Sequence, residues 1–328
     1  MRDLTLLPKA HLHVHLESTV RWSTLREIGA ANGVAVPERD GPPAFAGFAE
    51  FADHNALVRD CLRRPADFTR VAREFCADEA AQGTRYVEVT FTAAAHGERL
   101  GDQDMPLEAV LDGLAQGQAD HDIECRVLLD HSRRRSVDRA WQTLRLATRH
   151  AEAGVVGIGL AGEERHPLAP FAQVLDVARD AGLRLVHHAG ESCGAPSVRE
   201  AIDLGHPHRL GHGIRVLEDP ELAAEVRDRA ISLEVCPSSN LALGFVDSIA
   251  AHPLPRLRDA GLTVTLNTDI PAIVGTTLTR EYALVRDAFG WGDPVLAEIA
   301  SAGVDASFAP PATKARLRAG IDRWLADS

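Results

Sequence analysis

A short apolar run near the middle of the chain ends in residues that could bind a metal and move a proton. Residues 183–191 read LRLVHHAGE, in which a predicted buried strand from Arg184 to Val186 is followed by His187, His188 and Glu191. Gly190 permits a sharp turn before Glu191. A carboxylate three residues beyond an imidazole can reach whatever the imidazole holds. The alternative is an ordinary polar strand end beside a loop. The residues at the other predicted strand ends help to distinguish these two possibilities.

Other predicted strands end in similar residues. The first apolar run carries alternating histidines at His11, His13 and His15, while His212 lies between two glycines and Asp269 follows a late apolar run. In an extended strand, alternate side chains share a face ~6.5–7 Å apart, so two imidazoles can converge on one ion. This spacing alone does not choose between the pairs His11–His13 and His13–His15.

Nitrogen and carboxylate ligands without thiolates suit zinc with an open position for water, and iron or manganese is chemically possible. A histidine such as His212 would then orient and activate the water. There is an alternative for each candidate: Asp269 could cap a helix before Pro271, and His212 could be structural. The alternating histidines could merely fill the polar mouth of a barrel. We prefer the metal hypothesis because these residues all fall at strand ends.

The sequence contains eight apolar runs that we predict to be strands, and most of them are separated by segments of helical periodicity. These strands would position the candidate residues. The runs are Ala10–Leu16, Arg85–Phe91, Glu124–Leu129, Val155–Leu160, Leu183–His187, Arg209–Arg215, Ile231–Val235 and Leu262–Leu266. Several of the intervening helices are expected to stop at Gly83, Gly154, Gly182 and Gly261. The alternation predicts an α/β fold, a (β/α)8 TIM barrel whose active face lies at the carboxyl ends of the strands. An open doubly wound sheet is the alternative.

Two further segments complete the predicted barrel. Residues 19–64, between the first and second strands, form a long insertion with helical pieces that could act as a lid. Helices at Leu278–Phe289, Pro294–Ala302 and Ala312–Ala326 are expected to close the barrel after the eighth strand. No linker-like tract divides the sequence, so we expect residues 1–328 to form one domain.

Composition narrows the possible partners. The net charge of −12 provides no basic excess for binding DNA or RNA, so a small-molecule substrate is expected. No run approaches the ~18 apolar residues of a membrane span and no signal peptide is evident, which predicts a cytoplasmic protein without a membrane partner. The five cysteines form no C-x-x-C pair, which argues against a disulfide framework and a thiolate zinc site. The sequence gives no indication of the oligomeric state.

Several ordered blocks resemble motifs of the adenosine deaminase family of the amidohydrolase superfamily. The blocks are PKAHLHVHLEST (Pro8–Thr19), VVGIGLAGEE (Val155–Glu164), HAGE (His188–Glu191), RLGHG (Arg209–Gly213), LEVCPSSN (Leu233–Asn240), LNTDIP (Leu266–Pro271) and TLTREY (Thr277–Tyr282). The resemblance extends over almost the whole chain.

This resemblance implies a hydrolytic deaminase that releases ammonia from an aminopurine nucleoside or a related amino-heterocycle. One catalytic zinc ion per chain would be held by His13, His15, His188 and Asp269. Glu191 would protonate a ring nitrogen, and His212 and Asp269 would position the attacking hydroxide. By the same resemblance, Glu17 would contact the ribose hydroxyl and the backbone of Gly162 the purine ring. As alternatives, Glu17 could be a solvated charge and Gly162 only a turn glycine.

The sequence also departs from the family pattern. Ile270 replaces the second aspartate of T-D-D-P, which in typical members hydrogen-bonds a purine imidazole nitrogen, and isoleucine cannot do so. Gly159 stands where the family has the aspartate of V-G-x-D-L. We therefore expect a modified or differently shaped amino-heterocycle to be a better substrate than adenosine, and a 6-aminodeoxyfutalosine-type nucleoside of menaquinone synthesis is one candidate.

Two other classes of function stay open. A metallohydrolase that cleaves an amide or ester could use the same barrel, although HAGE argues against it because ring protonation is the special need of a deaminase. A catalytically silent nucleoside-binding protein is favoured only by the altered pocket residues. Ammonia release separates the deaminase from both.

Overall fold

Eight parallel strands form a single sheet in which each strand pairs with the next one along the chain. The computed structural model describes residues 1–38 and 48–326, with side chains from residue 55 onward in the second range. The strands are β1 (Lys9–His11), β2 (Thr84–Phe91), β3 (Glu124–Ser132), β4 (Val155–Ala161), β5 (Arg184–Ala189), β6 (Arg209–His212), β7 (Ser232–Val235) and β8 (Val264–Leu266). All eight predicted strands are present, in the predicted order.

The sheet closes between its first and last strands. The backbone N–H of Asp269 donates to the carbonyl of His13, and the N–H of His15 donates to the carbonyl of Asp269, both at 2.9 Å. Helix α14 (Asp293–Ala306) packs across this seam against both β1 and β8. The predicted (β/α)8 barrel is therefore confirmed, and the open doubly wound sheet is excluded.

Two strands end earlier than predicted, and both changes affect the polar residues. Strand β1 stops at His11 because the next two N–H groups, of Leu12 and His13, donate to the Asn267 side-chain oxygen at 2.8 and 3.0 Å. Strand β6 stops at His212, whose φ of 63° is left-handed and cannot continue a strand. His13 and His15 therefore lie just beyond a strand rather than within one.

Helices fill the connections between strands. Those up to β5 are α1 (Trp22–Ala31), α2 (Phe48–Cys61), α3 (Pro65–Ala81), α4 (Ala93–Leu100), α5 (Met105–Asp120), α6 (Val137–Arg149) and α7 (Ala172–Asp180). The later ones are α8 (Ala195–Gly205), α9 (Pro220–Asp228), α10 (Pro237–Ala242), α11 (Leu254–Asp259), α12 (Pro271–Val274), α13 (Leu278–Phe289), α14 and α15 (Pro311–Ala326). The four glycines predicted to follow helices all have positive φ.

The helices of the insertion and of the C-terminal region agree with the sequence-based expectation, and the lid role of the insertion stays a prediction. Helices α1 and α2 are the predicted helical pieces between β1 and β2, and residues 39–47 of that insertion lie outside the described residues. Helices α13, α14 and α15 follow the eighth strand. Within the described part of the chain, every helix is too short or too polar to cross a membrane.

Candidate active site

Three imidazoles and one carboxylate meet where the carboxyl ends of strands β1, β5 and β8 converge. One side-chain ligand atom from each of His13, His15, His188 and Asp269 lies within 4.8 Å of the other three. His15 Nε2 lies 3.3 Å from His188 Nε2 and 3.3 Å from Asp269 Oδ1. His13 Nε2 lies 3.5 Å from the same carboxylate oxygen.

This cluster fits a divalent metal ion. His13 Nε2 is buried and has no hydrogen-bond partner among the described residues, which is costly for a ring nitrogen unless a ligand satisfies it. Ligand atoms ~2.1 Å from a tetrahedral ion lie ~3.4 Å from one another, which is close to the three separations of 3.3, 3.3 and 3.5 Å given above. Three nitrogens and one oxygen are a usual donor set for zinc.

A chain of buried charges holds the His13 ring in place. His13 Nδ1 lies 2.8 Å from Glu234 Oε2, and the other oxygen of Glu234 accepts a hydrogen bond from Arg209 Nε at 2.5 Å. Burial disfavours ionisation of Glu234, but Arg209 and His13 still hold its pKa below the usual value. Because the ionised carboxylate accepts the Nδ1 proton, the Nε2 lone pair of His13 is free to face the cluster.

The Arg209 guanidinium continues this chain across the barrel interior. It donates to Glu88 on β2, a strand that does not neighbour β6, and its carbon lies 3.9 Å from the centre of the Phe308 ring. Its side chain is 1% exposed. A buried arginine between two carboxylates satisfies both and fixes the position of Glu234.

The two neighbouring histidines point elsewhere. His11 Nδ1 lies 3.0 Å from Glu79, and its other ring nitrogen lies 3.0 Å from the Thr268 hydroxyl. His187 Nε2 donates to the carbonyl of Gly205 at 2.9 Å. Of the two histidine pairs that the spacing allowed, His13 and His15 lie in the cluster. His11 lies outside it.

Glu191 and His212 lie against the cluster. His212 Nε2 is 3.4 Å from Glu191 Oε1, and the side-chain amide of Asn240 donates to that oxygen at 3.3 Å. Burial, followed by the negative charges of Asp269 and Glu164, raises the pKa of the Glu191 carboxyl well above its usual value. This shift favours the protonated form of Glu191, the form that can act as a proton donor.

Glu164 holds the backbone that carries Glu191. Its carboxylate accepts hydrogen bonds from the backbone N–H groups of Gly190, Glu191 and Ser192 at 2.7–2.8 Å, and also from the Ser197 hydroxyl. One buried side chain thus accepts hydrogen bonds from three consecutive N–H groups of the turn. The conformation of the HAGE turn is thereby fixed in advance of ligand binding.

Two site residues have left-handed backbone conformations. His212 has φ of 63° and Asp269 has φ of 60°, which is uncommon for residues other than glycine. The Asp269 carboxylate also accepts a hydrogen bond from the Ser239 hydroxyl at 2.5 Å. Strained backbone of this kind persists where surrounding contacts determine it, and it is frequent in active sites.

Gly211 is required by the close approach of an imidazole. A Cβ at this position would lie 2.8 Å from His13 Cε1 and 3.3 Å from the His188 Cα. The group that approaches Gly211 most closely is thus the His13 side chain.

A cavity of about 640 Å³ opens onto the cluster. His15, His188, Glu191, His212 and Asp269 line it. Glu17 and Gly162 line it too, and Glu17 accepts a hydrogen bond from the Thr92 N–H at 3.1 Å. Ile270 is 1% exposed and is not among the lining residues. The volume is in the usual range for small-molecule sites.

Several supporting residues were not identified from the sequence. Glu234 and Asn240 lie in LEVCPSSN and Glu164 in LAGEE, blocks that the family resemblance marked without a role. Asp130 lies on β3, past the predicted strand end at Leu129, and its buried carboxylate lines the cavity 3.7 Å from His15 Nδ1. A search for polar residues at every predicted strand end would have found Asp130, whereas Glu234 lies within a strand.

Together, the barrel and the histidine–aspartate cluster at its active face define a metal-dependent hydrolase of the amidohydrolase type. The sequence profile described as adenosine deaminase matches residues 8–324. The chain belongs to the adenosine deaminase family, whose members are hydrolases acting on C–N bonds, and the resemblance stated from its motifs is confirmed.

Individual relatives agree with this assignment. The chain is 37% identical over 338 residues to a putative adenosine/adenine deaminase of Streptomyces coelicolor, which covers 99% of this chain and 98% of that protein. Among solved structures, adenine deaminase from Arthrobacter aurescens superposes with a TM-score of 0.91 at 30% identity, covering 97% of this chain and 99% of that one.

Two other solved structures contain a ligand. An amidohydrolase from Burkholderia ambifaria with bound Zn has a TM-score of 0.88 at 26% identity and covers 99% of this chain and 94% of that one. Arabidopsis ADAL complexed with GMP has a TM-score of 0.86 at 28% identity and covers 98% of both chains.

We expect the substitution Glu234→Gln to weaken metal binding about 10–100-fold, because it removes the carboxylate that orients His13. The affinity can be measured by competition with a chromophoric chelator. Glu79→Gln is the matched control, since Glu79 holds His11 in the same way but His11 is outside the cluster. Equal affinity in both variants would contradict the assigned role of Glu234.

We expect Glu164→Gln to lower kcat about 10-fold or more while the metal content is unchanged, because an amide cannot accept all three N–H groups of the HAGE turn. Glu200→Gln is the control, since Glu200 also accepts two backbone N–H groups but at Leu168 and Ala169. A Glu164→Gln enzyme with wild-type kcat would show that the turn does not need this carboxylate.

Proposed function

We propose that the protein is a zinc-dependent aminohydrolase that releases ammonia from an aminopurine nucleoside or a related amino-heterocycle. The observation that carries the proposal is the convergence of His13, His15, His188 and Asp269 beside a carboxyl group, Glu191, whose pKa is raised. The relative with bound Zn supports the choice of metal, and the two relatives described as deaminases of adenine or adenosine support the reaction.

Zinc held by these four residues would lower the pKa of a bound water toward ~7 and so provide a nucleophile at neutral pH. Asp269 and His212 are placed to accept and hold the proton that the water loses. Overall, water replaces the amino group of the substrate by oxygen, and ammonia leaves.

Glu191 supplies the other half of the reaction. In its protonated form it donates to a ring nitrogen of the heterocycle, which makes the adjacent amino-bearing carbon electrophilic. The Asn240 amide donates to one Glu191 oxygen at 3.3 Å, which leaves the other oxygen to carry the proton. An amide or ester substrate has no such ring nitrogen, which is why we favour deamination over amide cleavage.

The choice of substrate follows from the cavity. Its volume of about 640 Å³ is larger than a bare purine base requires, and Glu17 lines it where a sugar hydroxyl could donate to the carboxylate. Ile270 offers no hydrogen bond to the ring, so we propose that adenosine is not the best substrate. A 6-aminodeoxyfutalosine-type nucleoside stays a candidate.

A substrate panel tests this function. We expect the zinc-loaded full-length chain to release ammonia from at least one of adenine, adenosine, AMP and 6-aminodeoxyfutalosine, with no hydrolysis of simple amides or esters. The highest kcat/KM with adenosine would disprove the selectivity proposed from Ile270. Hydrolysis of an amide without ammonia release from any heterocycle would instead favour the metallohydrolase.

We expect Glu191→Gln to lower kcat at least ~100-fold with unchanged zinc content, because the glutamine cannot donate a carboxyl proton. Glu221→Gln, at an exposed glutamate on α9, is the control and should keep the wild-type rate. Ligand binding without turnover in both wild type and Glu191→Gln would identify a nucleoside-binding protein rather than an enzyme.

A further inference from the structure

The exposed part of the cavity wall is basic. Five arginines line the cavity from three sides: Arg134 and Arg135 after β3, Arg139 in the first turn of α6, Arg99 at the end of α4, and Arg59 near the end of α2. We call these five residues the arginine rim. They share one cavity with His188 and Glu191, where the chemistry is proposed to take place.

Most acidic groups of the same cavity are buried. Glu17, Asp130 and Asp269 are 6%, 8% and 5% exposed, whereas the side chain of Glu98 is 50% exposed. Four of the five carboxylates in the wall, Glu191 included, are thus largely covered by protein, and the arginine rim lies nearer to the solvent. The cavity therefore has an acidic floor and a basic mouth, although the chain as a whole has a net charge of −12.

The rim is only partly neutralised by its protein neighbours. Arg134 pairs with Glu163 at 3.1 Å and Arg139 pairs with Glu98. Arg135 is exposed and has no carboxylate within ion-pair distance among the described residues. It immediately precedes Ser136, the N-cap of α6, whose side chain makes no cap hydrogen bond. The N-terminal end of a helix carries a partial positive charge, which repels the cationic side chains beside it. An anion bound in the cavity would relieve this repulsion.

We propose that the substrate carries an anionic group, a phosphate or a carboxylate, that the arginine rim binds while the amino-heterocycle lies at Glu191. Guanidinium groups bind both oxyanions through paired, charge-assisted hydrogen bonds. A cavity of about 640 Å³ has room for a heterocycle, a sugar and such a group. This inference rests on the proposed function in taking the cavity as the substrate site, and it deepens that function by defining the substrate class.

Product binding tests the inference without requiring turnover. We expect the zinc-loaded full-length chain to bind inosine 5′-monophosphate at least about 10-fold more tightly than inosine in titration calorimetry, the usual scale of a hydrogen bond to a charged group. A third probe, inosine with a 5′-carboxylate, separates the two sources of charge: the tighter of the two anionic probes identifies the natural group. Equal binding of inosine and both anionic probes would overturn the inference.

The variant Arg135→Gln should lower the affinity ratio of the preferred anionic probe to inosine by about 10-fold, because it removes an unpaired guanidinium. Arg316→Gln is the matched control: Arg316 is exposed, pairs with Asp122 at 3.3 Å and is outside the cavity wall. A ratio that falls equally in both variants would indicate only a change of net charge and would overturn the assignment to the rim.

Turnover separates this inference from the proposed function. Faster deamination of AMP or a 5′-carboxylate nucleoside than of adenosine would support both. Deamination of adenine or adenosine with no preference for an anionic compound would overturn the role proposed for the arginine rim. The proposed deaminase function would still hold. If no compound releases ammonia, the deaminase proposal fails, and the product-binding ratios still decide whether the rim binds an anion.

Discussion

The structure depends on Asp269 because one residue both closes the barrel and contributes to the proposed metal site. Its backbone N–H and carbonyl bond to His13 and His15 across the seam between β8 and β1, and its carboxylate meets their imidazoles. This dual role requires a left-handed backbone, which costs conformational energy. The cost is tolerated because closure removes the two open edges of the sheet. Barrel closure and the geometry of the site therefore depend on the same residue.

A second theme is that the site consists of buried charges that depend on one another. Arg209 pairs with both Glu234 and Glu88. The Glu234 carboxylate in turn contacts His13 Nδ1 and so directs the other ring nitrogen toward the cluster. In the same way, the Glu164 carboxylate is balanced by three N–H groups of the turn that carries Glu191. Such networks contribute little net stability, but they fix positions to within a fraction of an ångström, as catalysis requires.

In the proposed function, the charge distribution of the cavity separates the reacting groups from the groups that bind the anionic part of the substrate. Its floor combines the histidine cluster with carboxylates and suits a heterocycle that is to be protonated and attacked. Its mouth carries guanidinium groups that can hold an oxyanion. In the solved relatives, the same barrel is described for an adenine deaminase and for a protein complexed with GMP. Variation at the mouth of a common barrel is how one fold serves substrates of different size.

The amino-acid sequence by itself determined the alternation of strands and helices, the barrel, and the residue types at strand ends, because hydrophobic periodicity and polar strand ends are local patterns. His13, His15, His188, Glu191, His212 and Asp269 could all be named in this way, with the family motifs choosing among the histidines. Only the tertiary structure decided that His11 contacts Glu79, that Ile270 is buried and outside the cavity lining, and that Arg209 reaches Glu88 across the barrel. These contacts join residues far apart in the chain, and no local pattern encodes which side chain satisfies a buried charge.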